Sequence, residues 1–107
     1  MRKIIKHSAY FRDYPQIQPI LINFGVTGYG ILWKIIEGIK HNPNERILIP
    51  VEPFLLSIAT IFNVQVEQVQ EVYEACLKYG ALRLSKEGLY CDLVETEWQD
   101  LTGESHE

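Results

Sequence analysis

The chain has 107 residues, of which 47% are hydrophobic and 22% charged, and its formal net charge is -4 at pH 7 with neutral histidines. These values predict one compact domain, residues 1–107, and leave no length for a second. A short chain needs most of its apolar residues for its core, which argues against an enclosed active site. We find neither an apolar run long enough for a membrane span nor a secretory leader, so we expect a cytoplasmic protein.

Charge is divided unevenly along the chain. Residues 1–12 contain four basic side chains and no acid, whereas residues 92–107 contain six acids and neither lysine nor arginine. We therefore distinguish a basic amino-terminal arm, residues 1–12, from an acidic carboxy-terminal tail, residues 92–107. The two segments predict either two different binding surfaces or two solvated chain ends.

The amino-terminal half of the chain carries helical periodicity. A first helix is predicted over residues 17–24, where apolar side chains recur every three to four positions until Gly25 stops the run. A second helix is predicted over residues 28–40, and its apolar side chains nearly encircle it, as in a helix at the centre of a domain. The next apolar run, residues 47–49, resembles a short strand.

The carboxy-terminal half predicts two further helices and a hairpin. One helix begins at Glu52 with a proline in its first turn, and the next covers residues 66–79 and stops at Gly80. Apolar residues then alternate on either side of a turn at residues 85–88, which predicts a β-hairpin. A last half-helix is expected around Trp98. The predicted fold is α+β and mainly α, a winged helix-turn-helix with four to five helices and a carboxy-terminal hairpin wing.

Residues 24–37 read FGVTGYGILWKIIE. This stretch resembles the signature of a winged-helix family related to the DnaD-type amino-terminal domain, found in proteins of phages, plasmids and conjugative elements. The matching positions are Gly25, Gly28, Tyr29, Gly30 and Trp33. A second pattern of that family is matched by His7, Arg12, Pro15 and Ile17, with departures at Ser8, Tyr10 and Phe11. The resemblance implies a winged helix with a replication-initiation-like or regulatory role.

The glycines of this stretch also have an interpretation that needs no family. Gly25 would end a helix, Gly28 and Gly30 would let the next helix approach a neighbour closely, and Tyr29 and Trp33 would share a face. The order of the glycines is not that of a dinucleotide-binding loop, and no phosphate-binding lysine motif follows. We therefore expect these residues to serve packing.

The sequence contains no pattern that indicates catalysis. The three histidines and two cysteines show no metal-ligand spacing, and no nucleophile motif is present,. Cys76 and Cys91 lie in apolar patterns and are expected to be thiols of the core. We thus expect a non-enzymatic protein without metal, cofactor or small-molecule substrate.

DNA binding is the function that a winged helix favours. The candidate contacts are Arg2, Lys3, Lys6, Arg12, Gln65, Gln68, Lys78, Arg83 and Lys86. The fourth predicted helix, which would enter the major groove, carries three acids and one lysine and would repel phosphates,. The first interpretation is therefore weak DNA binding through the arm and the wing, by a homodimer that sums several contacts.

Protein–protein interaction is the alternative. Glu67, Glu71 and Glu74 of the fourth predicted helix, together with the acidic tail, would dock a replication or host protein. A dimerisation domain is the third interpretation. The surplus of aromatic and aliphatic residues in so short a chain predicts a homodimer under either view.

Overall fold

The computed structural model describes residues 2–99. In chain order its elements are the strand β1 (Arg2–Lys6), the helices α1 (Gln18–His41), α2 (Glu52–Phe62) and α3 (Val66–Tyr79), and the strands β2 (Arg83–Ser85), β3 (Gly88–Tyr90) and β4 (Glu95–Gln99). A single 3-10 turn, Phe11–Asp13, lies between β1 and α1. The described residues form a compact α+β fold that is mainly helical.

The helix α1 is bent at Gly25, whose φ of 66° and ψ of -157° are not helical. Glycine adopts a positive φ readily because it has no Cβ. The chain changes direction there and resumes the helix at once, so the two helices expected before and after this glycine are one bent element. Residues 2–99 consequently contain three α-helices, and the expectation of four to five is wrong.

By length and composition alone α1 could cross a membrane, and 33% of its most apolar window is buried within the structure. The bend at Gly25 divides it into residues 18–24 and 26–41. Each part is shorter than the roughly 20 residues that a membrane span needs. Ile31, Ile35 and Ile39 on the longer part are completely buried, so this face of α1 forms the centre of the hydrophobic core.

Helices α2 and α3 begin and end where their local signals predict. Glu52 and Pro53 occupy the first turn of α2, and Gly80 ends α3 with a left-handed φ of 85°. Asn63 makes the tight turn between the two helices with a φ of 55°, a conformation that asparagine tolerates better than most residues. Both helices pack their apolar faces on α1 and on each other.

The strands form two separate antiparallel sheets of two strands each within residues 2–99. The predicted hairpin is confirmed as β2 and β3, with Gly88 at a φ of 128°, and Ile47 adds a single bridge to Leu89. The second sheet pairs β1 with β4, from Arg2 opposite Gln99 to Lys6 opposite Glu95.

The half-helix expected around Trp98 is wrong, because residues 95–99 are extended and give their backbone hydrogen bonds to β1. The basic arm therefore includes a strand, and that strand lies directly against the acidic tail. Residues 100–107 of the tail lie outside the described residues.

Candidate functional site

The strand β1 is fastened to the rest of the molecule through the carboxylate of Glu45. Nζ of Lys3 lies 3.2 Å from Oε2 of Glu45, and Nζ of Lys40 lies 3.0 Å from Oε1. The hydroxyl of Thr96 in β4 donates to the same carboxylate at 2.8 Å. Lys3 also donates to the carbonyls of Lys40 at 2.7 Å and Asn42 at 3.2 Å, at the end of α1. One carboxylate thus joins β1, β4 and α1.

This environment changes the acidity of Glu45. Burial raises its pKa, but the hydrogen bonds from Thr96, Lys40 and Lys3 outweigh burial and lower the pKa from 4.5 to about 2,. The side chain is therefore ionised throughout the neutral range. Since two ammonium groups share one carboxylate, the cluster of Lys3, Lys40 and Glu45 keeps an excess of positive charge.

Two further basic residues proposed for DNA contact are paired with the acidic tail. Nζ of Lys6 lies 3.6 Å from a carboxylate oxygen of Glu97 and 4.0 Å from one of Glu95. Nε of Arg83 in the hairpin lies 2.9 Å from a carboxylate oxygen of Asp92. The arm, the wing and the tail therefore neutralise part of one another's charge. This pairing was not evident from the sequence because the segments lie far apart along the chain.

The remaining basic candidates are distributed over the molecule. Arg12 lies in the 3-10 turn, Lys78 in α3 and Lys86 in the turn of the hairpin, and all three are exposed. Within residues 2–99 none of these three forms an ion pair. Arg2 is exposed on β1. The structure thus places the unpaired cations on separate elements.

The polar face of α3 is exposed along its whole length. Its exposed residues, with the preceding Gln65, are Gln65, Glu67, Gln68, Gln70, Glu71, Glu74 and Lys78. The three glutamates are spaced four and three residues apart, so they lie on one side of the helix. None of them takes part in an ion pair with another described residue. Their negative charge is open to solvent and to a partner.

A groove of about 320 Å³ runs between the first part of α1 and α3 and borders these glutamates. We call it the α3 groove. Phe24, Ala75 and Tyr79 give it an apolar lining, while Glu71 and Glu74 line it with negative charge that Lys78, also in the lining, offsets in part. An apolar strip with acidic side chains beside it is complementary to a segment that presents apolar and basic residues together.

The glycines of the family-like stretch lie in tight packing. A Cβ at Gly28 would overlap the Cβ of Phe24, and one at Gly30 would lie 3.3 Å from the ring of Phe62 in α2. Gly28 therefore closes the bend within α1, and Gly30 lets α2 approach α1.

The aromatic residues of the same stretch, Tyr29 and Trp33, pack against the amino-terminal segment. The ring of Phe11 has its centroid 6.3 Å from that of Tyr29 and 4.8 Å from that of Trp33, and the ring of His7 lies 4.3 Å from that of Trp33. Both family-like segments of the sequence thus meet in one aromatic cluster. Nε1 of Trp33 is buried and has no hydrogen-bond partner among residues 2–99.

Three adjacent cavities run along α1 beside β1, and sequence reasoning missed them. Their volumes are about 540, 290 and 300 Å³; the first and second share Ile5 and Glu37, and the second and third share His7. We call these three adjoining cavities together the β1–α1 groove. Two periodicities could have revealed it: alternate residues of β1 and its extension face it, at positions 3, 5 and 7, and residues one turn apart in α1 face it, at positions 29, 33, 37 and 41.

Neither cysteine is placed for chemistry. Cys76 and Cys91 are buried free thiols. Burial raises the pKa of Cys76 to about 12 and also raises the pKa of Cys91, so the reactive thiolate is scarce at neutral pH. Among residues 2–99, histidine, cysteine and carboxylate side chains form no group of three or more that could hold a metal ion.

Comparisons of the chain with protein-family models, with curated proteins and with solved structures gave no match.

Proposed function

We propose that this chain is a non-enzymatic winged helix-turn-helix module that works by binding a protein partner. The order of elements is compatible with that fold: α1, a single strand-like bridge at Ile47, α2, a tight turn, α3 and the hairpin. In a winged helix of this order α3 takes the place of the recognition helix and β2–β3 the place of the wing.

The observation that carries the proposal is the exposed acidic face of α3 beside an apolar groove. Affinity for DNA comes largely from neutralising phosphates. Glu67, Glu71 and Glu74 would instead bring uncompensated negative charge to the groove of the duplex. The same charges favour a partner that is basic, and the apolar lining of the α3 groove adds surface that such a partner can bury.

The proposed partner segment is therefore amphipathic and basic. Phe24 and Tyr79 would contact its apolar residues, while Glu71 and Glu74 would pair with its lysines or arginines. We expect this partner to be a replication or host protein in the cytoplasm. The identity of the partner rests on the family resemblance alone, whereas its basic, amphipathic character rests on the α3 groove.

The first experiment titrates the isotopically labelled chain with a synthetic lysine- and leucine-rich amphipathic helical peptide and follows backbone amide resonances. We expect the largest shifts in α3 and in residues 22–26 of α1, and we expect binding to be lost when Glu67, Glu71 and Glu74 are all changed to lysine. Changing these glutamates to lysine turns contacts of opposite charge into contacts of like charge, so the loss should be at least tenfold in affinity.

A matched variant reverses three carboxylates away from this face, Asp13, Glu52 and Glu87, which are also exposed. It changes the net charge by the same amount and should retain the peptide. Equal loss in both variants, or shifts concentrated outside α3 and α1, would contradict the proposed interface.

Weak duplex DNA binding is the second candidate, and exposed cations without ion pairs favour it. Lys86 at the tip of the wing and Arg12 in the 3-10 turn are free to meet phosphates, although Lys3, Lys6 and Arg83 are engaged. A mobility-shift assay at low salt tests it, and the absence of a shift with concentrated protein would exclude this mode. Light scattering on the same samples tests the proposed homodimer.

A further inference from the structure

We propose that the β1–α1 groove binds single-stranded nucleic acid. On α1 it extends from Tyr29 to His41, residues spaced by whole turns on one side of the helix,. At 1.5 Å per residue this distance is about 18 Å. That length matches roughly five nucleotides at the 3.4 Å spacing of one strand of a duplex, and fewer nucleotides in an extended strand.

Charge is the first argument for this occupant. The groove is lined by Arg2, Lys3, Lys40 and Arg12, against one lining carboxylate, that of Glu37. A neighbouring cavity that shares His7 and Ser8 with the groove adds one cation, Lys6, and one carboxylate, Glu95, which are paired with each other. Glu37 is itself paired with Lys34 at 3.4 Å, and Glu45 supplies one carboxylate for both Lys3 and Lys40. Positive charge is therefore in excess along the groove even though the whole chain is acidic.

The buried ammonium group of Lys40 strengthens this argument. Only 6% of Lys40 is exposed, yet it lines the largest cavity. Its Nζ donates one hydrogen bond to a described side chain, that to Glu45, and an ammonium group has three donors. A nearly buried cation beside a cavity favours an anionic ligand in that cavity.

Aromatic side chains alternate with these cations. Trp98 is 60% exposed at one end of the groove, where its ring centroid lies 5.6 Å from Nζ of Lys3. Trp33 and Tyr29 line the groove half-buried, with their rings packed against Phe11. Proteins that bind single strands combine a cationic track with aromatic platforms on which unpaired bases stack. A duplex hides its base faces, and the aspartate and glutamate side chains of an acidic peptide have no ring to stack, so the aromatic residues favour a single-stranded nucleic acid.

This inference is independent of the proposed protein partner. The β1–α1 groove is lined by β1, by β4 and by α1 from residue 29 onward. The segment that follows β1, residues 7–12, and Pro43 after α1 complete the lining. The α3 groove is lined by α3 and residues 23–24 of α1. The two grooves share no lining residue, so each can be altered while the other stays intact.

The test measures fluorescence anisotropy of a short dye-labelled single-stranded DNA titrated with the full chain at several salt concentrations. Removing one stacking platform costs roughly 5- to 100-fold in affinity, and we expect a loss in this range for Trp98→Leu. We expect Arg12→Gln to weaken binding and to lower the slope of log affinity against log salt by about 0.7, the value for one phosphate contact on a single strand. Both side chains are exposed, and circular dichroism will show whether the variants are folded.

Matched control variants lie outside the groove. Tyr79→Leu removes an exposed ring from α3 and should bind the strand as the original chain does. Lys86→Gln removes from the wing a charge assigned above to duplex phosphates, so it should weaken only duplex binding and leave the affinity for the single strand unchanged. The charge reversal of Glu67, Glu71 and Glu74 should leave this binding unchanged or tighten it, which separates the result from that of the peptide titration.

Four outcomes would overturn the proposal. The first two are a lack of salt-dependent binding of the single strand and an equal affinity for the matching duplex. The other two are affinity losses in the control variants as large as those in the groove variants, and complete displacement of the strand by polyglutamate at equal charge concentration. The last outcome would assign the groove to acidic polypeptides.

Discussion

Replacing Glu45 by glutamine is expected to release the β1–β4 sheet from the core. The substitution keeps the size of the side chain but removes the charge that Lys3 and Lys40 share. It also weakens the acceptor for the hydroxyl of Thr96. Two lysines near the end of α1, one of them only 6% exposed, would then lack a counter-charge, which is costly for buried cations.

The magnitude follows from the acidity of the carboxyl group. Its pKa is 4.5 in the unfolded chain and about 2 in the folded protein, and at 1.36 kcal/mol per pH unit the difference sets an upper limit of about 3 kcal/mol. Because 29% of the Glu45 side chain is exposed, solvent screening reduces the expected contribution to about 2 kcal/mol. A lowered folded-state pKa gives stability that is complete above about pH 4.5 and is lost as the pH falls toward about 2.

Urea unfolding of the original chain and of Glu45→Gln, at a series of pH values from neutral to acid, measures this contribution. We expect the variant to be less stable by about 2 kcal/mol at neutral pH. The difference should shrink below about pH 4.5, because the unfolded original chain takes up a proton at Glu45 that the folded protein binds only near pH 2,. Glu71→Gln, on the exposed face of α3, serves as the control and should change stability by less than about 0.5 kcal/mol. A difference that stays constant with pH, or one no larger than that of the control, would refute the role assigned to this carboxylate.

Two other predictions concern the hairpin and the thiols. Gly88→Ala should destabilise the fold by about 2 kcal/mol or more, because a Cβ there would meet the carbonyl of Ile47 at a positive φ,. Gly80→Ala, where a Cβ would lie at an ordinary contact distance of 3.6 Å from Cγ of Gln16, should cost about 1 kcal/mol,. Equal urea midpoints for the two variants would contradict this difference. Cys76 and Cys91 should react with a thiol reagent far more slowly in the native protein than in urea, because both are buried with raised pKa values, and rapid labelling of the native protein would show that the core opens.

The elements that depend on local signals could be predicted from the sequence. Pro53 and Gly80 marked the beginning of α2 and the end of α3, and the residues between two runs of alternating apolar side chains marked the hairpin turn. The exposed positions of α3 were also predicted correctly, because they follow from the helical period alone. At Gly25 the same signal was ambiguous, since a glycine of positive φ can end a helix or bend it.

The pairing of β1 with β4 could not be predicted in this way. Residues 2–6 and 95–99 are short, and what makes them strands is the partner that each finds at the far end of the chain. For the same reason the basic arm and the acidic tail looked like two separate surfaces, whereas Lys6 and Glu97 lie 3.6 Å apart. The β1–α1 groove depends on this pairing, so the two periodicities that face it could be recognised only together with the pairing.

The β1–β4 pairing also sets an order of events for the growing chain. Arg2–Lys6 is made first, but its partner Glu95–Gln99 is added only after all three helices and the hairpin. Closing so long a loop is entropically costly, and this cost is offset only after the intervening core has brought the two strands together. The side of the proposed nucleic-acid groove that β1 and Trp98 form is thus the last part of the groove to be assembled. A partly synthesised chain would contain the cations of the groove, but they would not yet be aligned along one surface.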